Sequence, residues 1–159
     1  MVIRPAKDRD ASQIAAIWND VIDHTAITFT TERKTCAGIA ADIAHRGPLF
    51  LVAEQGGQVC GFATAFQFRG GPGYAHTYEH SVQLSAEARG QGAGRRLMQA
   101  LEQALRGQGA HSLWAGVSGE NPGGVTFHRA VGFTEIARLP EVGFKFGRWM
   151  DLVLMQKIL

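Results

Sequence analysis

The sequence predicts an α/β domain built on a single mixed, mainly antiparallel sheet of about seven strands with about four helices packed on its faces. Three observations predict it. Stretches with a helical apolar period are interleaved along the whole chain with short apolar or β-branched runs. Two adjacent runs are joined by a short turn at Gly56-Gly57, which makes an antiparallel hairpin. And 159 residues make one core, because a chain of this size buries roughly two-thirds of its unfolded surface in a single domain. No repeat and no linker divides residues 1–159.

The elements follow in order. Val2 to Arg4 is a short strand stopped by Pro5, and Asp8 or Asp10 then caps a helix that carries Ile14, Ile17, Trp18, Val21 and Ile22 on one face. The segment HTAITFTTER has no helical period and reads as a loop; a weaker helix through Ile39, Ile43 and Ala44 runs to Gly47-Pro48. Leu49 to Glu54 and Val59 to Phe68 form the hairpin strands. A loop, Arg69 to Gly73, leads to an extended stretch from Ala75 to Leu84. Leu97, Leu101 and Leu105, widened by Met98, Ala100 and Ala104, mark an amphipathic helix stopped by Gly107 and Gly109. Ser112 to Val117 is a strand, Asn121-Pro122 opens a helix through Val125, Phe127 and Val131, and Gly132 ends it. Phe133 to Leu139 and Met150 to Ile158 close the chain as strands.

Composition narrows the function classes. Sixteen basic against fourteen acidic side chains leave a net charge of +2, too little for a nucleic-acid surface, so any anion site is local. The charged start MVIRPAKDRD lacks the apolar centre of a signal peptide, and no run approaches the length of a membrane span. Cys36 and Cys60 show no C-x-x-C spacing and read as buried thiols of a reducing compartment, which makes the chain cytoplasmic. His24, His45, His76 and His111 have no ligand spacing, so no metal is expected. Glycine is in excess, with 20 residues, where about 7% is usual.

Part of that excess lies in Arg89-Gly90-Gln91-Gly92-Ala93-Gly94-Arg95-Arg96, between a strand and an amphipathic helix. Glycines let the backbone turn its N–H groups toward one point, and the first helical turn adds unpaired donors and the positive end of its dipole, which together suit a pyrophosphate. No Gly-Lys-Ser/Thr follows, and Arg95 and Leu97 stand where a dinucleotide fingerprint needs its last glycine, so both of those nucleotide classes drop out. On the preceding strand, alternation sets Glu79 and Ser81 on one face and His80 on the other. By residue type alone Glu79 is a general base or a solvated strand carboxylate, Asn121 a ligand contact or an N-cap, and His128 an acid near neutral pH or a packing residue.

The loop R-G-Q-G-A-G resembles the R/Q-x-x-G-x-G/A signature of the GNAT superfamily of N-acetyltransferases. IRPA at the start, Asn121, and Phe127-His128-Arg129-Ala130-Val131-Gly132-Phe133 in the place of L-[YH]-E-x-x-G-F extend the likeness over nearly the whole chain. Within the superfamily the chain is similar to the phosphinothricin and methionine sulfone/sulfoximine acetyltransferases, through Asn19-Asp20 with Thr28-Phe29, through Thr77-Tyr78-Glu79-His80-Ser81-Val82, and through Val142 to Asp151. The resemblance implies acetyl-CoA as co-substrate, with Arg89, Gly90, Gln91, Gly92, Ala93, Gly94 and Arg95 at its pyrophosphate and Val82, Gln83, Leu84 and Asn121 along its pantetheine arm. It makes Glu79 the general base, acting through water, and puts His128 where many relatives carry a tyrosine that protonates the departing thiolate. Phe29, Arg69, Gly70, Gly71, Tyr78, Glu79, His80 and Ser81 become the residues lining a small amine substrate, with Arg69 holding an acidic group bidentately. A homodimer is implied as well.

Three departures from the pattern stand out. Tyr78 replaces the valine of T-V-E, Gln83 the tyrosine of S-V-Y, and Gly123-Gly124 the small pair after the helix asparagine, each glycine weakening that helix by about 1 kcal/mol. In GFKFGRWMD, Trp149 is expected to pack its ring on the sheet, with Lys145 and Arg148 left open between binding and structure. The expected activity is acetyl transfer to a small amino acid-like amine. The competing ones are transfer to a polyamine, an aminoglycoside or a protein amine, and a non-catalytic acyl-CoA-binding module.

Overall fold

The computed structural model describes residues 1–159. In chain order it comprises β1 (Val2–Pro5), α1 (Ala11–His24), α2 (Cys36–Arg46), β2 (Phe50–Gln55), β3 (Gln58–Gln67), β4 (Thr77–Leu84), α3 (Ala93–Gly107), β5 (Ser112–Ser118), α4 (Pro122–Ala130), β6 (Thr134–Lys145) and β7 (Arg148–Ile158). The strands form one seven-stranded sheet in the order β1-β2-β3-β4-β5-β7-β6. Every pairing is antiparallel except β4 with β5, where the intervening α3 crosses the sheet and returns the chain in the same direction.

Strand alternation divides the core into two layers. On one face Leu97, Met98, Leu101 and Leu105 of α3, all fully buried, pack on Ala53 of β2, Ala63 and Ala65 of β3 and Leu113, Ala115 and Val117 of β5. The alanines of β3 let α3 approach closely. On the other face Ile14, Trp18 and Ile22 of α1 with Ile39 and Ile43 of α2 cover Phe50, Val52 and Phe62. The Trp18 and Phe62 rings lie 4.8 Å apart.

Asp10 stands at the N-cap position of α1 but does not cap it. Its carboxylate accepts from Arg4 at 2.8 and 2.9 Å and from the Lys7 amide at 2.8 Å, because burial beside a guanidinium makes the ion pair the stronger claim. The Arg4 hydrogen bond holds the Asp10 carboxyl below its ordinary 3.8 against the opposing effect of burial. A depressed carboxylate contributes stability above its unfolded value and loses it as pH falls through the folded one. Asp10→Ala therefore costs about 3 kcal/mol at pH 7, and the gap between variant and parent narrows below pH 3.8, as urea titrations at the two pH values would report. An equal gap at both would refute the assignment.

Two further expectations are corrected. Cys36 is exposed at the start of α2, where the helix turns that position to solvent, and only Cys60 is partly covered, its Sγ donating to the Ala53 carbonyl at 3.4 Å. The last two strands are also longer than their apolar runs. They meet at a two-residue turn in which Phe146 and Gly147 both have positive φ, and a bulge at Glu141 (φ 52°) shifts the register between Leu139 and Gly143. A Phe-Gly turn carries none of the usual hairpin signal. The tip of this hairpin extends past β5, whose last residue, Ser118, lies opposite Leu152. Trp149 is consequently 61% exposed rather than packed on the sheet, with the Phe144 ring 4.9 Å away.

Candidate active site

The site arises from a break in the sheet. β4 and β5 pair only over Thr77–Glu79 with Ser112–Trp114; beyond that β4 stays with β3 and β5 with β7. Between the diverging strands lies a cavity of about 370 Å³ that reaches both faces of the sheet. His80 to Gln83 and Ala115 to Val117 form its strand walls, and Asn121 and His128 of α4 close it on the α3 side.

The edge of β4 along this gap is unpaired. The Phe68 amide donates to Thr77 O and the Ser85 amide to Cys60 O, so odd-numbered β4 residues direct their backbone groups toward β3. Those of Val82 and Leu84 therefore point into the gap, and Gln83 contributes a side chain on the α1 face. Farther along the chain, Gly90 (φ 74°) and Gly92 (φ 81°) make a turn no other residue adopts easily. The first intrahelical bond of α3 runs from Arg96 N to Gly92 O, and no side chain caps the helix, leaving the amides of Ala93, Gly94 and Arg95 free. Arg89 is exposed beside this turn, Gln91 folds back to Glu87 O, and Arg95 donates to Ala130 O. Gly94 has a different reason: a Cβ there would stand 3.1 Å from the Phe127 ring, so it lets α3 approach α4.

Glu79 and Ser81 face the α1 and α2 side. The Glu79 side chain makes no hydrogen bond and lies beside Gly116, whose absent Cβ would be 3.4 Å from its Oε1; burial alone pushes its carboxyl above the ordinary 4.5. Tyr78 and His80 face the opposite way, with Tyr78 packed on the α3 core and away from Glu79. Phe29 lies outside the cavity lining, its ring so close over Gly143 that no Cβ would fit there. Arg69, Gly70 and Gly71 form an exposed loop that also lies outside the lining; Gln67 holds it through Arg69 O and Gly71 O. The Arg69 guanidinium lies 5.7 Å over Phe68, which stacks on Trp114, the register partner of Glu79.

Two cations in the cavity were not among the sequence candidates. Arg46, at the end of α2, donates to Thr64 Oγ1 at 3.1 Å and lies 5.0 Å over the Phe66 ring. Thr64 and Phe66 are the register partners of Ser81 and Glu79. Burial lowers the pKa of Arg46, and Asp42 at 3.6 Å opposes this. Lys34 sits 4.5 Å over the Trp18 ring, with its backbone clasped by both ends of the Asn19 amide at 2.7 and 3.0 Å. The only sequence hint of Arg46 was its place just before the helix-ending Gly47-Pro48. The residues left open in the late hairpin are structural. Lys145 is buried and donates to Thr25 O and Thr28 O, tying the α1–α2 loop down over the cavity, while Arg148 pairs with Glu120 through both carboxylate oxygens.

The two histidines meet. His80 Nε2 and His128 Nε2 are 3.0 Å apart; His80 Nδ1 is 3.0 Å from Trp114 O, and His128 Nδ1 is 2.7 Å from Gly124 O. Burial, followed by the charge of His128, pushes His80 down to about 3 against the Trp114 carbonyl; burial also lowers His128 against the Gly124 carbonyl.

The model of the Acetyltransferase (GNAT) family matches residues 16–133. The chain belongs to that family. It is accordingly an acyltransferase. This GNAT chain is 36% identical to an L-amino acid N-acyltransferase of Escherichia coli (strain K12), over 98% of its own length and 92% of the relative's. It is also 36% identical to an L-methionine sulfoximine/L-methionine sulfone acetyltransferase of Salmonella typhimurium, over 98% and 93%. A phosphinothricin acetyltransferase of Sinorhizobium meliloti, solved in complex with acetyl-CoA, superposes with a TM-score of 0.93 at 30% identity, covering 99% of this chain and 88% of that one. One departure of this GNAT sequence finds its reason at α4. Asn121 Oδ1 accepts from Gly124 N at 3.0 Å and so caps the helix while also lining the cavity, and a Cβ at Gly124 would come within 2.9 Å of Val117 as well as striking the Asn121 amide. Gly123 meets no such obstacle.

Proposed function

We propose that this GNAT enzyme transfers the acetyl group of acetyl-CoA to the amino group of a small amino acid-like compound of the methionine sulfoximine, methionine sulfone or phosphinothricin type. The observation that carries this reading is that Arg46, at the end of α2, reaches Thr64 and Phe66, the register partners of Ser81 and Glu79, which sets a guanidinium for a carboxylate on the same face of the sheet as a basic group for an α-amine. The relatives named above support the acceptor class.

The residues fit acetyl-CoA. The free amides of Ala93, Gly94 and Arg95, the Gly90–Gly92 turn and the Arg89 side chain would hold its pyrophosphate, and the open backbone edge of Val82 to Leu84, with Asn121, its pantetheine arm. When bound it supplies an activated thioester carbonyl. Glu79, raised by burial, takes a proton from the incoming ammonium through water, so that the free amine attacks directly. Ser81 shares the face of Glu79 beside the acceptor, whereas Phe29 and the Arg69–Gly71 loop, outside the cavity lining, would meet the acceptor only at its rim. His128 returns a proton to the departing thiolate. Tyr78 and His80 act from behind the strand, away from the acceptor.

A thiol-release assay over a panel of amines tests the acceptor class. Turnover with methionine sulfoximine, methionine sulfone or phosphinothricin is expected to exceed that with a polyamine, an aminoglycoside or a protein amine by at least about tenfold in kcat/KM. A reversed order would refute the acceptor class. Acetyl-CoA binding without thiol release from any amine would identify a binding module.

A further inference from the structure

The hydrogen-bond inventory of the His80–His128 pair does not balance for two neutral rings. A carbonyl oxygen only accepts, so His80 Nδ1 facing Trp114 O and His128 Nδ1 facing Gly124 O each need a hydrogen. The Nε2 atoms, 3.0 Å apart, need one hydrogen between them. Three contacts require three protons, and two neutral imidazoles carry two. Whichever tautomers are chosen, a neutral pair sets one lone pair against another among buried groups, where such a clash is costly. One added proton completes all three contacts, and a second would oppose two N–H groups.

We propose that His80 and His128 act as a dyad that takes up a single proton, holds it between their Nε2 atoms, and delivers it to the departing thiol. This rests on the acetyl-transfer reading above. In the delivery step an Nε2–H bond breaks with its electron pair left on the ring nitrogen, and an S–H bond forms on the thiolate released by cleavage of the thioester C–S bond. The neutral dyad then reloads one proton from solvent. His80 is a positioning residue here: it makes His128 a better proton holder than a lone buried imidazole.

The surroundings leave the charge to the pair itself. The Phe127 and Phe133 rings lie 5.2 Å from that of His128, and Phe133 lies 5.4 Å from His80. From β4, Tyr78 shares the His80 face and Glu79 lies on the opposite one; β5 contributes only Leu113, Ala115 and Val117 on this side. The charged groups of the neighbouring elements are engaged elsewhere. Arg95 of α3 donates to Ala130 O, Arg129 of α4 pairs with Glu135 of β6, and Lys157 of β7 pairs with Glu102 of α3 and donates to Val131 O. The only charge that acts on His80 is that of His128, and it disfavours a second proton once the first is held.

Two-bond ¹⁵N–¹H correlation spectra of the full-length protein labelled with ¹⁵N-histidine count these protons. The expected result is protonated Nδ1 on both rings and one protonation step shared by both Nε2 atoms; an Nδ1 that stays bare on either ring at every pH overturns the dyad. In kinetics, His80→Phe is expected to lower kcat by about 10- to 100-fold at unchanged acetyl-CoA affinity. The alkaline limb of its kcat profile should move to lower pH, since His128 alone releases its proton earlier. His80→Gln provides the same readout should the Phe variant not fold. An unmoved limb with His128→Phe still slow overturns the dyad and leaves the acid role of His128 standing. Full activity in His128→Phe overturns the acid role and the delivery step together, and the spectra then report the proton count alone.

Discussion

Glu79→Gln is expected to lower kcat by about 10²- to 10⁴-fold while leaving acetyl-CoA affinity within about twofold. The amide keeps the size of the side chain and its place beside Gly116 but cannot accept a proton from an ammonium. The glycine turn before α3 and the backbone edge of Val82 to Leu84 are untouched by the substitution, so coenzyme binding is expected to be spared. The pH profile provides the sharper signature. A general base works only when deprotonated, and burial raises the Glu79 carboxyl above 4.5, so kcat/KM of the parent falls as pH drops through that raised value. The Gln variant should lose this acid limb. Steady-state rates from pH 5 to 9, with calorimetric titration of acetyl-CoA, check both parts, and unchanged turnover removes the general-base role.

Arg46→Met should raise KM for the amino acid-like acceptor by about 10- to 100-fold with a smaller change in kcat, the size expected for losing a charge-assisted hydrogen bond to a carboxylate. Methionine retains the apolar contact with Phe66 and removes the charge. An analogue of the acceptor without its carboxylate should bind both proteins alike, which isolates the lost pair from any general disturbance of the end of α2. Arg69→Met is the companion measurement. Arg69 is exposed and outside the cavity lining, so its variant should shift KM less. A larger penalty at Arg69 would move the carboxylate to the Arg69–Gly71 loop.

The two variants probe opposite kinds of legibility. Glu79 was legible because strand alternation is local: once Thr77 to Leu84 is extended, the common face of Glu79 and Ser81 follows from the period of two. The same holds for Leu97, Leu101 and Leu105 on α3, for the Gly56-Gly57 hairpin, and for the glycine turn that precedes α3. Arg46 was not legible, since its meaning depends on Thr64 and Phe66, which lie 18 and 20 positions onward and become neighbours of Ser81 and Glu79 only through the β3–β4 register. Trp149 failed for a related reason. Its exposure depends on where β5 ends, and no property of GFKFGRWMD records that.

By itself, then, the sequence determined the order and type of the elements, one α/β sheet, the glycine turn suited to a pyrophosphate and the face on which Glu79 lies, because each depends on residues close along the chain. Only the tertiary structure decided that β4 and β5 part after three paired residues, that Arg46 reaches the cavity between them, and that His80 and His128, 48 positions apart, share one hydrogen-bond contact. Those are products of strand order and helix packing, in which the partner of each group is chosen by the fold as a whole.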